Sequence, residues 1–433
     1  MSKFSSVEDK FYEIRKYNYW DGDLPNTGFV RELYTRKISQ YLGNRLVKVL
    51  TGQRRTGKSY VLRQLMEELL TQGKSPKNIL YINKEFLEFD FLKDYHQLNE
   101  LYNEYKKQIK PEGKVYLFID EIQNISEWER FVNSKSQDFS DECEVFITGS
   151  NSKLLSGELA SLLSGRYVQF EIMPFSYTEF LKINKNQNSK KQFVKYMQTG
   201  GLPELIWLPN DETKRHYVSS VVDTVLLRDI IQRYQIKNPE LLRELFVYLV
   251  NNASNLISIN NIVKFYKGKS RRTTYDTISN YISFIEETYM MHRAERYDLR
   301  GKETTGGVYK FYTNDAAYKN YLFGGFGYGF GYQLENLVYL MLRRNGFEVY
   351  VGNIMNKEID FVAVRSGQTI YIQTAYSLTD TETSVREYGP LKMVADNYPK
   401  LVVTMDDLNA GDNEGIKHLR AWELEEYLDR LNF

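Results

Sequence analysis

The stretch LVKVLTGQRRTGKSYVLRQLMEELL, residues 46–70, decides the fold of the first part of the chain. An apolar strand runs into Gly52, and the pattern G-x-x-x-x-G-K-[ST] is complete at Ser59. Behind it, apolar residues recur every three or four positions, as on a helix with one buried face. A strand, a glycine-rich turn and an amphipathic helix in this order predict a phosphate-binding loop; a turn that binds no nucleotide is the alternative.

The residue types of this loop explain the chemistry that we expect of it. Glycines let the backbone curl so that successive N–H groups face one anion at the positive end of the helix. Lys58 is predicted to reach the β- and γ-phosphates of ATP, and the Ser59 hydroxyl to take one position on Mg²⁺. The predicted nucleotide-binding residues are Gly52, Gln53, Arg54, Arg55, Thr56, Gly57, Lys58, Ser59 and Tyr60.

A second apolar strand, KVYLFID, ends in two acids, Asp120 and Glu121. After a phosphate-binding loop this pattern indicates a Walker B element, in which Asp120 holds Mg²⁺ and Glu121 polarises the attacking water. The alternative is an ordinary helix cap, because acids favour the first turn of a helix. Between the two motifs, ILYIN at residues 79–83 predicts a further strand. This order resembles the additional-strand, catalytic-glutamate branch of P-loop ATPases, which includes AAA proteins and helicases.

Two later residues extend the predicted catalytic set. Asn151 follows the strand-like segment EVFITGS, where that branch places a sensor residue that contacts the γ-phosphate and the lytic water. A polar turn is the alternative for Asn151. Arg166 precedes a fifth strand, and we expect it to approach the phosphoryl group in cis or in trans as an arginine finger does. An ordinary surface arginine is the alternative there.

Taken together, these motifs resemble a large family of prokaryotic AAA-like ATPases that carry a carboxy-terminal domain of unknown function. The resemblance spans nearly the full length of the chain. It implies ATP binding and hydrolysis with Mg²⁺, with poorly defined biological clients. The segments that carry it are TGQRRTGKS, LFIDEIQ, FITGSNSKLLSGELASLLSGR, PFSYTEF, TGGLPEL and EIDFVAV.

The length of 433 residues, at about 150 residues per domain, suggests about three domains of the α/β class. The predicted division is a P-loop ATPase core over 1–175, a helical lid over 176–234, a winged-helix domain over 235–321 and a restriction-endonuclease-like domain over 322–433. The winged helix-turn-helix is predicted from three amphipathic helices and a following β-hairpin.

Five basic residues without an acid lead into the third of these helices, and they are candidates for phosphate contacts on duplex DNA. A solvated face or a protein contact is the alternative. The whole chain has 57 Lys and Arg against 56 Asp and Glu, so its net charge of +1 excludes a uniformly basic nucleic-acid coat. The five residues are Lys264, Lys267, Lys269, Arg271 and Arg272.

The last third of the chain resembles the restriction-endonuclease-like fold. Glu335 and Asp360 match its first two metal-binding positions, and Gln373 stands where the third ligand is expected. Ala375 occupies the position of the lysine that this fold uses in catalysis. Without that lysine and the third carboxylate, metal-assisted cleavage loses its cation and a ligand. We therefore expect an inactive domain with a recognition or assembly role.

The single cysteine, Cys143, excludes an intramolecular disulfide, and the four histidines show no metal-ligand spacing. We expect neither a signal peptide nor a membrane span, because charges interrupt every long apolar run. A cytoplasmic location is the expectation, and a protein partner and a homo-oligomer stay open. The preferred function is an ATPase whose nucleotide state switches the attached domains. The rival is a DNA-binding or protein-interaction regulator in which ATP is a structural ligand.

Overall fold

The computed structural model describes residues 7–22, 26–152, 163, 165–269, 273–322, 329–407 and 411–431. The chain divides into two compact units, Met1–Ile172 and Met173–Phe433. Within the described ranges, no helix has both the length and the apolar character needed to cross a bilayer. The finer division into four domains stays a prediction.

The first unit is built on a five-stranded parallel sheet in the order β2-β3-β4-β1-β5. Strand β4 therefore separates β1, which leads into the glycine-rich loop, from β3, which ends in the acids. The predicted α/β class with a parallel sheet is confirmed for this unit. The strands are β1 (Val47–Thr51), β2 (Ile79–Asn83), β3 (Val115–Asp120), β4 (Cys143–Gly149) and β5 (Tyr167–Glu171).

Helices cover both faces of this sheet. One apolar core joins Val49 of β1 to Leu98 of the fourth helix, and the other joins Leu50 to Leu62 of the third helix. Because both faces are buried, the strands read as almost continuous apolar runs in the sequence. The helices are α1 (Val7–Ile14), α2 (Glu32–Ser39), α3 (Lys58–Thr71), α4 (Tyr95–Ile109) and α5 (Trp128–Gln137).

The second unit begins with helices. One of them begins at a clear cap: the Asn238 side chain accepts a hydrogen bond from the Leu241 N–H, and Pro239 takes the first helical position. A π-helical segment over Val225–Gln232 follows the third of these helices. The helices are α6 (Tyr177–Asn184), α7 (Lys190–Thr199), α8 (Asp211–Thr224), α9 (Pro239–Asn251), α10 (Ile259–Gly268), α11 (Tyr275–Glu287), α12 (Ala317–Leu322), α13 (Phe330–Arg344), α14 (Thr381–Lys392) and α15 (Leu424–Arg430).

A nine-stranded mixed sheet forms the rest of this unit, in the order β13-β14-β12-β11-β10-β9-β7-β8-β6. The hairpin β7–β8 continues into the carboxy-terminal strands because β7 pairs in parallel with β9, with Arg296 opposite Val351. One sheet therefore spans residues that the sequence assigned to two domains. The strands are β6 (Leu256–Ile257), β7 (Met291–Asp298), β8 (Glu303–Thr313), β9 (Glu348–Ile354), β10 (Lys357–Arg365), β11 (Gln368–Ala375), β12 (Lys400–Thr404), β13 (Asp412–Asn413) and β14 (Ile416–Arg420).

The TGGLPEL motif forms a tight junction within the second unit. A Cβ atom on Gly200 would lie 2.0 Å from a carboxylate oxygen of Asp315, and one on Gly201 would lie 2.2 Å from the Phe175 carbonyl oxygen. The Asp315 carboxylate accepts the N–H groups of Gly201 and Ala317, each at 2.8 Å. The two glycines are therefore required for close packing of this junction.

Candidate functional site

The loop between β1 and α3 has the curled backbone that glycine permits. Gly52 has φ of 136°, and a Cβ atom there would lie 2.3 Å from the Ile172 carbonyl oxygen. Gly57 has φ of 94° and caps the amino terminus of α3, which begins at Lys58. Arg55 also lies in the left-handed region, with φ of 69° and an exposed side chain. The N–H groups at the start of α3 therefore lie at the carboxyl edge of the sheet.

The Lys58 side chain lies within this loop. Its Nζ donates to the carbonyl oxygens of Gly52 and Gln53, both at 3.0 Å, and lies 3.9 Å from Glu121 Oε1. The ammonium group is buried. These two acceptors are neutral backbone oxygens, which a charged phosphate is able to replace.

The acids at the end of β3 are held by the end of the neighbouring strand β4. The Thr148 hydroxyl donates to Asp120 Oδ1 and accepts the Glu121 N–H at 2.9 Å. Burial and the charge of Glu121 raise the pKa of Asp120, and hydrogen bonds from the Ser59 and Thr148 hydroxyls oppose that rise. Glu121 has φ of 55° and is buried. Thr148 thus fixes both acids with one hydroxyl group.

Two residues of β2 also hold Asp120, and the sequence analysis did not assign them a role. The Tyr81 hydroxyl and the Asn83 side-chain amide each donate to Asp120 Oδ2 at 3.1 Å. Asn83 lies directly opposite Asp120 in the parallel pairing of β2 with β3. Asn83, the polar residue at the end of the ILYIN strand, was the sequence signal for this contact, because parallel strands end at the same edge of a sheet.

The remaining predicted nucleotide-binding side chains differ in exposure. Gln53 and Thr56 are buried, and the Thr56 hydroxyl donates to the Gln53 carbonyl at 2.9 Å. Tyr60 is half exposed, and Arg54 forms an ion pair on the surface. Asn151 is buried two residues beyond the end of β4, at the same sheet edge as Asp120. The catalytic and binding roles of these residues stay predictions.

Arg166 is not brought together with the other predicted catalytic residues. Its carbonyl accepts the Val47 N–H at the start of β1, and its exposed side chain approaches Asn133 at 3.5 Å. The five residues of β1 separate that edge from the loop, a distance of roughly 16 Å at about 3.3 Å per residue. This position does not support action on the chain's own loop. An action on a second copy of the chain stays a prediction.

Comparisons with known proteins match two successive parts of the chain to family profiles. A family profile described as an AAA domain matches residues 44–181, and one described as a domain of unknown function (DUF8612) matches residues 190–327. An uncharacterized protein of Haemophilus influenzae is 33% identical over 392 residues, which cover 89% of this chain and 96% of that protein. The chain belongs to the family of AAA-like ATPases with a carboxy-terminal domain of unknown function.

More distant similarities of this AAA-like ATPase extend over most of its length. An uncharacterized protein of Methanocaldococcus jannaschii is 29% identical over 407 residues, covering 89% of this chain and 87% of that protein. The solved structure of the Aeropyrum pernix ORC1 protein in complex with DNA is 14% identical, with a TM-score of 0.32. The matched region covers 68% of this chain and 95% of the ORC1 chain.

Part of the basic cluster of this AAA-like ATPase lies within the described residues. We use this name for Lys264, Lys267, Lys269, Arg271 and Arg272. Lys264 and Lys267 are on α10, and Lys269 follows its end; all three side chains are exposed. The Lys269 Nζ lies 4.4 Å from the centre of the Phe265 ring. Arg271 and Arg272 lie outside the described residues.

The predicted nuclease-like positions surround a lysine that the sequence analysis missed. Lys310 on β8 places its Nζ 2.8 Å from Glu335 Oε1, 2.6 Å from Glu358 Oε1 and 3.6 Å from Asp360 Oδ1. The Tyr312 hydroxyl donates to the same Glu335 oxygen at 2.8 Å. We call Lys310, Glu335, Glu358 and Asp360 the Lys310 cluster. The Lys310 cluster therefore contains a lysine. This lysine comes from β8, and Ala375 occupies the predicted lysine position on β11.

Gln373 lies beside this cluster and not in it. Its side-chain oxygen accepts the Asp360 N–H at 3.2 Å, and its amide nitrogen donates to Glu387 at 2.8 Å. Asp360 accepts the N–H and hydroxyl of Thr374 at 2.8 and 2.7 Å. Within the described ranges, no group of three or more His, Cys, Asp or Glu side chains has the geometry of a metal site.

Proposed function

We propose that this protein binds ATP in the loop over residues 52–59 and hydrolyses it. The observation that carries the proposal is the position of the Lys58 ammonium. It lies inside a loop of helix-terminal N–H groups, 3.9 Å from the Glu121 carboxylate. An anion-binding loop, a cation and an acid therefore meet at one sheet edge, which is the set of groups that phosphoryl transfer requires.

The residues at this edge suit Mg²⁺. Ser59 and Asp120 offer hydroxyl and carboxylate oxygens, the ligands that this ion prefers, and the negative charge of Glu121 lies beside them. When bound with ATP, Mg²⁺ neutralises phosphate charge and polarises the phosphoryl oxygens. Asp120 and Ser59 would hold it, with Tyr81 and Asn83 keeping the Asp120 carboxylate in one orientation.

Side chains of this protein carry out the remaining steps of ATP hydrolysis. Lys58 exchanges its two carbonyl acceptors for β- and γ-phosphate oxygens. The Glu121 carboxylate orients the attacking water and accepts its proton, while Thr148 holds the Glu121 backbone. Asn151 contacts the γ-phosphate. The bond between the γ-phosphorus and the oxygen that bridges it to the β-phosphate breaks, and ADP leaves with that oxygen. After phosphate and ADP are both released, Lys58 returns to the loop carbonyls.

We further propose that nucleotide state changes the conformation of the second unit. Support comes from Ile172, the last residue of the first unit, whose N–H donates to the Thr51 carbonyl at 2.7 Å. The Gly52 backbone lies so close to Ile172 that it has no room for a Cβ atom. A change in the loop therefore acts directly on the residue that precedes Met173.

Turnover by the purified full-length chain tests the ATPase proposal. We expect Lys58→Ala to weaken ATP binding and abolish phosphate release, and Glu121→Gln to retain bound ATP without releasing phosphate. Glu68→Gln, near the carboxy-terminal end of α3, is the matched control. Unchanged ATP affinity and turnover in Lys58→Ala would show that this loop is not the nucleotide site. Proteolysis patterns of Glu121→Gln with and without ATP test the conformational change.

A DNA-binding regulator is the second candidate, and the exposed lysines of the basic cluster favour it. Helices α9–α11 followed by the β7–β8 hairpin fit a winged helix whose basic residues face phosphates. We expect the full chain to bind duplex DNA with an affinity that falls as salt rises. Reversing Lys264, Lys267 and Lys269 to Glu should abolish that binding. The same reversal of exposed Lys74, Lys77 and Lys191 is the control, and equal DNA affinity in both triple variants would reject this candidate.

A further inference from the structure

Arg31 is a buried arginine that precedes the region matched by the AAA-domain profile. Its side chain is 1% exposed, and it stands at the amino terminus of α2. No motif in the sequence marks it. A guanidinium is costly to remove from water, so its buried position requires partners that compensate its charge.

Both the backbone and the side chain of this residue are anchored. The Arg31 backbone N–H donates to the Gln64 side-chain oxygen of α3 at 3.0 Å. The Gln64 amide nitrogen donates in turn to the carbonyls of Thr27 and Phe29, both at 2.8 Å. The guanidinium lies 4.6 Å from the centre of the Tyr34 ring. The segment that ends at Arg31 is therefore fixed to the helix that follows the phosphate-binding loop.

From this position the side chain reaches the loop itself. Arg31 Nη1 donates to the Thr56 carbonyl oxygen at 2.9 Å. In a planar trans peptide the C=O and the following N–H point in opposite directions. With its carbonyl held by Arg31, the Thr56–Gly57 peptide directs the Gly57 N–H away from the guanidinium. A glycine at 57, with φ of 94°, permits this peptide to rotate if the carbonyl is released.

We propose that Arg31 is a positioning residue that holds the Thr56–Gly57 peptide in the orientation that binds phosphate. The inference rests on the proposed ATP-binding function and deepens it. A charged donor is suited to this task, because its hydrogen bond is stronger than that of a neutral donor. Arg31 also adds positive potential behind a loop that receives a polyphosphate.

The test measures the dissociation constants of ATP and ADP with the purified full chain. Arg31→Met should weaken both by about 10- to 100-fold, the effect of one charge-assisted hydrogen bond. It should raise KM for ATP by more than it lowers kcat, because the hydrolytic groups at Glu121 are untouched. Arg31→Lys should restore part of the affinity. Arg36→Met, an exposed arginine one turn further along α2, is the matched control and should change affinity less than about two-fold.

A folded Arg31→Met protein with ATP affinity within two-fold of the wild type would overturn the inference. If Arg31→Met does not fold, Gln64→Met decides, since it removes the bond that fixes the Arg31 backbone while leaving the guanidinium. A several-fold loss of ATP and ADP affinity is expected there, and unchanged affinity would overturn the inference. Failure of the wild type to bind ATP would instead reject the proposed function. ATP binding that survives Arg31→Met but not Lys58→Ala would reject only the role of Arg31.

Discussion

Lys58 and Lys310 are both buried lysines, 4% and 3% exposed, but different groups surround their ammonium nitrogens. Lys58 donates to two neutral carbonyls, and its neighbouring carboxylate lies 3.9 Å away. Lys310 lies within 3.6 Å of three carboxylates. Carbonyl partners are replaceable by a phosphate, whereas the acidic groups around Lys310 would be left buried without their cation. The acceptors thus distinguish the lysine that we propose to bind phosphate from the lysine of the Lys310 cluster.

The largest expected effect is the loss of the Lys310 ammonium. Lys310→Met should lower the stability of the second unit by about 3–5 kcal/mol, because it leaves buried carboxylates without a cation. Lys58→Met should lower the stability of the first unit by less than Lys310→Met lowers that of the second, because Lys58 donates to backbone carbonyls and its ion pair with Glu121 is long, at 3.9 Å. Hydrogen exchange read by mass spectrometry resolves the two units, with peptides covering 305–315 and 333–343 reporting on the Lys310 cluster.

Equal losses of protection in the two variants would remove the distinction between the two lysines. Lys319→Met is a control within the second unit, because Lys319 lies outside the Lys310 cluster and pairs with no carboxylate in the described ion pairs. A change below about 1 kcal/mol is expected for it. A loss as large as that of Lys310→Met would show that any lysine substitution destabilises this unit.

The contrast also explains what the sequence was able to predict. The loop, Lys58 and the two acids lie in contiguous motifs whose residue types follow from phosphate chemistry, so their shared sheet edge was expected. The Lys310 cluster joins β8, α13 and β10, and its formation depends on the parallel pairing of β7 with β9. No local pattern encodes that pairing. The same limit applies to Arg31, whose contact with Thr56 crosses 25 residues and depends on Gln64.

The stability of the second unit should also depend on pH, because two of its buried acids have raised pKa values. Burial and the charge of Asp360 raise the pKa of Glu335 to about 8, from an ordinary 4.5. Burial likewise raises the pKa of Asp315 to about 6. A carboxyl whose folded pKa is raised binds its proton more tightly when folded. Its stabilising contribution is complete below the unfolded pKa and is lost as pH rises through the folded value.

The second unit should therefore lose stability between about pH 4 and pH 8, by at most about 1.4 kcal/mol per pH unit for each titrating carboxyl. Glu335→Gln should remove the loss between about pH 6 and pH 8 and keep the loss below pH 6 that belongs to Asp315. Hydrogen exchange of the second unit, corrected for the intrinsic rate at each pH, measures both parts. Stability that rises over this range would contradict the raised pKa values of the two acids.

The smallest expected effects come from two buried tyrosine hydroxyls that donate to acids, one in each region. Tyr81 donates to Asp120 and Tyr312 to Glu335. Tyr81→Phe leaves Asp120 with Asn83 and Thr148, so we expect a modest loss of orientation, seen as a 3- to 10-fold rise in the Mg²⁺ concentration for half-maximal ATPase activity. Tyr312→Phe should leave that concentration unchanged and lower the stability of the second unit by about 1 kcal/mol.

These two variants remove the same atom from the same residue type, so each is the control for the other. We expect Tyr81→Phe to change the Mg²⁺ concentration for half-maximal ATPase activity. We expect Tyr312→Phe to change the free energy of unfolding of the second unit. A shared Mg²⁺ effect would mean that the acid contacted by Tyr312 also takes part in turnover. A Tyr81→Phe protein with wild-type Mg²⁺ dependence would mean that Thr148 and Asn83 orient Asp120 by themselves, and the assigned role of the Tyr81 hydroxyl would then be wrong.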